Sequence, residues 1–163
     1  MEIMFTHLRT HSHYSLLKAL PKIKALVSRA KELGMNSLAL TDYSNMYGTI
    51  EFYKTCKDAG IRPVIGVEFS LTYNERLFKI VLLAKNITGY KNLMRITSVV
   101  NMENSESPVL SFDTLIQYKE GLIVLSGGPW GDISNLLTIN KEQALLRLKE
   151  YIKHFKDHFY LEV

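Results

Sequence analysis

Gly34-Met35-Asn36-Ser37-Leu38-Ala39-Leu40-Thr41-Asp42-Tyr43-Ser44-Asn45 decides the fold class, and Arg62-Pro63-Val64-Ile65-Gly66-Val67-Glu68 repeats its pattern after one intervening helix. Each is a short apolar run that ends on a carboxylate. Buried parallel strands that deliver polar residues at their C-terminal ends are how α/β barrels and open α/β sheets build their sites. Asp42 and Glu68 are therefore placed like site residues.

Working outward, short apolar runs rich in β-branched or aromatic residues lie at 3–8, 37–40, 63–69, 78–84, 122–125 and 159–161, and predict six strands. Between them, Ile23, Leu26, Val27, Ala30 and Leu33 repeat at helical spacing, with Pro21 near the entry and Gly34 just past the end. Ile50, Tyr53 and Cys56 before Gly60 predict a second helix. Tyr90, Leu93, Met94, Thr97 and Val100 predict a third, and Leu145, Leu148, Ile152 and Phe155 a fourth. Alternating strands and helices favour parallel strands joined by right-handed crossovers, because a parallel pair needs a long connection that a helix fills. The class is α/β. The polar segment 101–108 reads as a loop rather than a linker, so residues 1–163 are expected to form one domain without internal repeats.

A chain of 163 residues buries roughly two thirds of the surface its unfolded form exposes, so a real core is available. With 47% hydrophobic and 22% charged residues, the composition is that of an ordinary globular protein and excludes a fibrous or disordered chain. The single cysteine, Cys56, excludes intrachain disulfides, reads as a small core residue and fits a reducing cytoplasm. Met1-Glu2-Ile3-Met4-Phe5 has no basic flank, and no run reaches bilayer-spanning length, so neither secretion nor membrane insertion is expected. The formal charge of +4 is mild, and Lys22, Lys24, Arg29 and Lys31 are dispersed as on a solvated helix face rather than gathered into a nucleic-acid patch.

His7, Arg9, His11 and His13 occupy alternate positions around the end of the first apolar run. Histidines near two carboxylates suggest a metal site that activates water; structural or exposed histidines are the bland alternative. Ser126-Gly127-Gly128 follows the fifth run and matches neither a phosphate-loop nor a dinucleotide fingerprint; a tight turn is the reading. Trp130 reads as a loop anchor in the core. Tyr14, Tyr43 and Tyr47 near strand ends are read as packing residues rather than as platforms for bases.

His7-Leu8-Arg9-Thr10-His11-Ser12-His13-Tyr14-Ser15-Leu16-Leu17, the Leu38-Ala39-Leu40-Thr41-Asp42 and Arg62–Glu68 strings, Val81-Leu82-Leu83-Ala84-Lys85-Asn86, Gly121-Leu122-Ile123-Val124-Leu125-Ser126-Gly127-Gly128 and Phe159-Tyr160-Leu161-Glu162 together resemble, in order, the N-terminal PHP domain of bacterial replicative DNA polymerase III alpha subunits. The resemblance covers essentially the whole chain. It implies a distorted, seven-stranded, TIM-like β/α barrel, here incomplete at its C-terminus, whose intact versions hold metal ions and hydrolyse phosphoesters. The ligand positions depart from that pattern: Arg9 stands where the first histidine of His-x-His belongs, Lys18 replaces an aspartate, Tyr43 and Lys79 replace histidines, and Gly128 replaces a cysteine. Of the readable positions, His11 and Glu68 survive, and His13 falls where relatives usually carry an acidic residue.

Two ligands do not hold a multinuclear centre, and the substituted cations repel metal ions. The resemblance therefore implies a metal-free domain without catalytic residues that docks the separate proofreading exonuclease subunit, alongside other subunits of the polymerase III holoenzyme. Template-directed DNA synthesis, its Mg and the contacts with DNA are expected to belong to the parent polymerase, whose catalytic domains a chain of this length does not contain. An active metal-dependent phosphoesterase and a directly DNA-binding domain are the rival readings. A truncated barrel with an uncovered sheet edge is expected to self-associate or to be marginally stable.

Overall fold

The structure is a computed structural model that describes residues 5–103 and 107–162. Among these lie six strands, β1 (Ser37–Leu40), β2 (Arg62–Tyr73), β3 (Arg76–Ala84), β4 (Val109–Leu110), β5 (Leu122–Leu125) and β6 (Phe159–Tyr160). Six helices accompany them: α1 (Ile23–Glu32), α2 (Thr49–Ala59), α3 (Ile87–Glu103), α4 (Phe112–Gln117), α5 (Asp132–Ile139) and α6 (Lys141–Phe155). Hydrogen bonds link the strands in the order β1-β2-β3-β5-β6, with β4 on β2, and among the described residues no pairing closes the row into a barrel.

The sheet is mixed, where the sequence pattern favours parallel strands. β1 runs parallel to β2, β4 to β2 and β6 to β5, but β3 and β5 are antiparallel, with Val81 opposite Leu125 and Ala84 opposite Leu122. The reversal arises at Asn74-Glu75. These two residues alone connect β2 to β3, and both adopt positive φ, 49° and 60°, which is the two-residue hairpin turn whose twist matches its flanking strands. No helix fits in that link, so the crossover expected there is absent. Of the predicted strand at 3–8, residues 3 and 4 lie outside the described residues and the rest is not a regular strand. His7 O and Thr10 O still accept from Ala39 N and Thr41 N of the β1 region, but Thr10 N donates to the Thr41 hydroxyl at 2.9 Å instead of to backbone, which interrupts the ladder.

Contacts divide the chain into two compact units, Met1–Val67 and Glu68–Val163. In the first, Ile23, Val27 and Ala30 of α1, Leu38 and Leu40 of β1, Phe52 and Cys56 of α2 and Ile61 form one buried cluster. α1 appears as its periodicity predicts. α2 turns a different face inward: Thr49, Phe52 and Cys56 are buried, while Ile50 and Tyr53 are exposed, because the wholly apolar Phe52 ring shares its face with Cys56 one turn on. Gly60, at φ 74°, ends this helix in the left-handed conformation.

In the second unit α6 also departs from its predicted face. Ala144, Arg147, Tyr151 and Phe155 are buried, whereas Leu145 and Ile152 are exposed. The reason is a buried polar knot that hydrophobic periodicity does not register. Arg147 Nε donates to Asp132 Oδ2 at 2.7 Å, Tyr151 OH donates to the same oxygen at 2.8 Å, and Arg147 Nη1 donates to Glu150 at 2.6 Å. The guanidinium lies 4.0 Å, 4.4 Å and 4.6 Å from the ring centres of Phe112, Tyr73 and Tyr151. Burial works against the Arg147 charge, but facing Tyr151 and Asp132 outweighs it and its pKa is raised. Helices α4 and α5, absent from the sequence expectation, are six and eight residues long, too short to show a helical period; α4 is capped by Ser111 accepting from Thr114 N.

Removing one partner of such a pair strands a buried charge, so Arg147→Ala is expected to lower the unfolding free energy by about 3–5 kcal/mol, and Arg147→Met with Asp132→Leu to recover much of it. Urea unfolding measures both; a loss under about 1 kcal/mol for the single variant would mean that water reaches the knot.

Cys56 supplies a pH-dependent counterpart. Burial pushes its thiol up to about 11 from an ordinary 9.0. Between these values the unfolded chain has released the proton that the folded chain keeps, so stability is full below pH 9.0 and falls as pH rises toward 11. Cys56→Ala is expected to flatten that part of a stability-versus-pH curve, read by urea midpoints.

Candidate functional site

Site positions fall in both units and are described unit by unit. In the first, the segment after β1 carries Thr41, Asp42 and Tyr43, facing the turn formed by Ser12 to Lys18. Asp42 is buried, and both its oxygens are engaged: Oδ1 accepts from Ser12 N and Ser15 Oγ, each at 2.6 Å, and Oδ2 accepts from Ser12 Oγ at 2.8 Å. Ser15 Oγ also accepts from Tyr43 N at 3.1 Å, and Asn45 Nδ2 donates to the carbonyls of Tyr14 and Tyr43. The carboxylate that the strand pattern places like a site residue is thus a brace for the Ser12–Ser15 turn. The two serines carry no motif, and sequence reasoning passed over them.

That brace presents three of the suspect ligand positions together. The His11 ring lies flat on Tyr43, centres 4.2 Å apart and planes within 5°, and the Lys18 ammonium sits over the same Tyr43 ring, 4.4 Å from its centre. An ammonium offers no lone pair, and the tyrosine face is occupied by its neighbours. His13 packs against Tyr14 instead, at 4.3 Å. Arg9, His11 and Lys18 line a groove of about 760 Å³ together with Arg29, Leu20 and Leu33.

In the second unit Glu68 is fully buried in β2, and Lys79 of β3 donates to Ser70 Oγ across the hairpin at 3.0 Å. Ser126-Gly127-Gly128 is the tight turn that the glycines suggest, with φ of 81° at Gly127 and 57° at Gly128. A Cβ on Gly127 would lie 1.9 Å from the Lys79 carbonyl oxygen, so only glycine lets the turn approach β3. Glu162, which no motif marks, clasps the turn: its carboxylate accepts from Gly127 N at 2.7 Å and its own N–H donates to Ser126 Oγ at 2.9 Å. Gly128 is buried and contributes no side chain. Trp130, expected in the core, is exposed at 63% because the turn after Gly128 carries it outward.

The resemblance implies an intact site of several imidazoles and carboxylates around shared ions. Among the described residues no group of three or more His, Cys, Asp or Glu is gathered closely enough to hold a metal ion. If the Asp42 brace is structural, Asp42→Asn, which replaces one acceptor by a donor facing a serine, is expected to cost about 2–3 kcal/mol of stability by thermal unfolding. An unchanged midpoint would free Asp42 for another role.

Comparison with known proteins places the chain. The profile of the PHP domain family matches residues 7–163. The DNA polymerase III alpha subunit of Vibrio cholerae is 40% identical over 98% of this chain and 14% of its own length, and that of Borreliella burgdorferi 40% identical over 98% and 15%. The alpha subunit of Escherichia coli K12 is 38% identical over 99% of this chain and 14% of its own, so the chain spans about a seventh of these relatives. Two solved structures share the fold: a protein assigned as a metal-dependent phosphoesterase from Bifidobacterium adolescentis, with TM-score 0.56 and 13% identity over 91% of this chain and 84% of that one, and an amidohydrolase from Chromobacterium violaceum, with TM-score 0.52 and 24% identity over 62% and 34%. With the ordered strings along its length and a family match from His7 onward, the chain belongs to the PHP domain family.

Proposed function

We propose that this chain is the PHP domain of a replicative DNA polymerase alpha subunit, in which it acts as a metal-free scaffold that docks the separate proofreading exonuclease subunit. The parentage rests on identities of 38–40% to alpha subunits across nearly the whole chain. In this reading DNA synthesis and its Mg belong to other parts of that cytoplasmic polymerase.

One observation carries the metal-free reading: the Lys18 ammonium lies over Tyr43 while His11 stacks on that ring, where intact relatives gather ligands. Fixed positive charge and a missing donor set both oppose a multinuclear centre. The groove beside it supports docking. Leu20 and Leu33 are 91% and 53% exposed there, between the cations Arg9, Lys18 and Arg29, and apolar surface of this kind is what protein partners cover.

Elemental analysis of the purified chain is expected to find no stoichiometric zinc, manganese or iron, and the immobilised chain is expected to retain the cognate proofreading exonuclease. Two or more tightly bound ions with manganese-stimulated exonuclease activity would establish the phosphoesterase instead. Full-strength association of the exonuclease with a parent polymerase lacking residues 1–163 would remove the docking role.

A further inference from the structure

At the end of the β3–β5 ladder remote from Gly127, beyond the Ala84–Leu122 pair, a pocket of about 110 Å³ opens on the second unit. Four basic side chains line it: Lys85 from the end of β3, Lys119 from the turn before β5, His154 from α6 and His158 from the 3-10 turn Lys156–His158. They come from three segments, since His154 and His158 share the continuous stretch from α6 into the 3-10 turn. Their convergence is fixed by two glycines. A Cβ on Gly121 would lie 2.4 Å from Asn86 Oδ1, and one on Gly89 would lie 1.9 Å from the Gly121 carbonyl oxygen, so only glycine at both positions brings the Lys119 turn against the end of β3. Lys85 N donating to Gly121 O at 2.9 Å secures the approach.

This arrangement concentrates positive charge without neutralising it. Lys85 Nζ stands 3.0 Å from His158 Nε2, two basic groups in direct contact, with the ammonium donating to the imidazole lone pair. Among the described residues no ion pair engages Lys85, Lys119, His154 or His158. Glu120 is the one acid in the lining and is itself exposed. Leu122 and Phe155 complete the wall, and apolar walls strengthen a charge-assisted hydrogen bond. At roughly 30 Å³ per water, the pocket has the space of three or four waters, which is enough for a tetrahedral oxyanion.

We propose that this pocket is a phosphoryl-binding site, with Lys85 and Lys119 donating to the oxyanion and His154 and His158 closing on it. Lysines act on phosphate as point charges, and donors converging from three segments suit an oxyanion with several acceptor oxygens. The site is distinct from the vestigial ligand positions and does not depend on the docking role. The phosphoryl group is either free phosphate or the end of a nucleic-acid strand.

Imidazole NMR signals of His154 and His158 read the site directly in the 163-residue chain. Inorganic phosphate is expected to shift both signals saturably, with a midpoint on the order of 1 mM. Lys85→Met with Lys119→Met is expected to weaken that midpoint about tenfold, with backbone amide spectra confirming the fold. Should the double variant unfold, Lys119→Met alone is expected to weaken binding about threefold. An oligonucleotide bearing a 5′-phosphate, set against the same strand with a 5′-hydroxyl, separates a strand end from free phosphate. No saturable shift with phosphate, an equal response in the folded variants, or oligonucleotide binding indifferent to the 5′-phosphate with no response to inorganic phosphate would each overturn the proposal.

Discussion

Asp42 is an ionisable side chain only 2% exposed, and the first unit is arranged around giving it hydrogen-bond donors. A carboxylate withdrawn from water carries a large desolvation cost unless its oxygens are bonded. Ser12 N, Ser12 Oγ and Ser15 Oγ supply those bonds, and all three come from one turn, so that turn has no freedom to move away from the end of β1. The position of every residue that follows from the turn is then set. His11 precedes it and Lys18 follows it, and both meet Tyr43, the neighbour of Asp42 in sequence. The stack is a consequence of the brace.

This order of cause separates the bonds that hold the turn from the side chains that the turn presents. The brace uses Asp42, Ser12 and Ser15, and none of its bonds involves the side chain of Tyr43 or of Lys18. Lys18 and Tyr43 meet as a cation over a ring, a contact that contributes roughly 0.5–1 kcal/mol at exposed sites. The second unit follows the same logic with a different charge. Arg147, Asp132 and Tyr151 satisfy each other away from the Ser126–Gly128 turn, which Glu162 holds by two bonds of its own.

What the sequence made legible follows from which forces leave a periodic mark. Hydrophobic burial does: the apolar runs at 37–40, 78–84 and 122–125 are strands, and the Ile23, Val27 and Ala30 stripe is the buried face of α1. Polar burial does not, and so the apolar period of α6 points Leu145 and Ile152 inward although Arg147 and Tyr151 occupy the core. Local turn chemistry leaves a faint mark, since Asn74 is a residue that tolerates positive φ, but Glu75 beside it is not, and the hairpin between β2 and β3 carries no clear signal. At the site, the unusual residues Arg9, Lys18, Tyr43, Lys79 and Gly128 were visible by resemblance alone. Ser12, Ser15 and Glu162, which fix the geometry, were not, because a hydrogen bond over 27 to 36 residues of separation has no signature in spacing.

The antiparallel β3–β5 ladder has a further consequence for the second unit. In a parallel pair both strands end on the same side, so functional groups collect at one edge of the sheet. Reversing β3 against β5 brings the end of one strand beside the start of the other, at both ends of the ladder. At one end Gly127 meets the Lys79 carbonyl, and at the other Gly121 meets Gly89 and the Lys85 backbone. Each close approach demands glycine and each leaves side chains from distant segments converging at its rim. The hairpin at Asn74-Glu75 that departs from the parallel expectation is thus what gives this unit two constructed ends, one at the Ser126–Gly128 turn and one at the basic pocket.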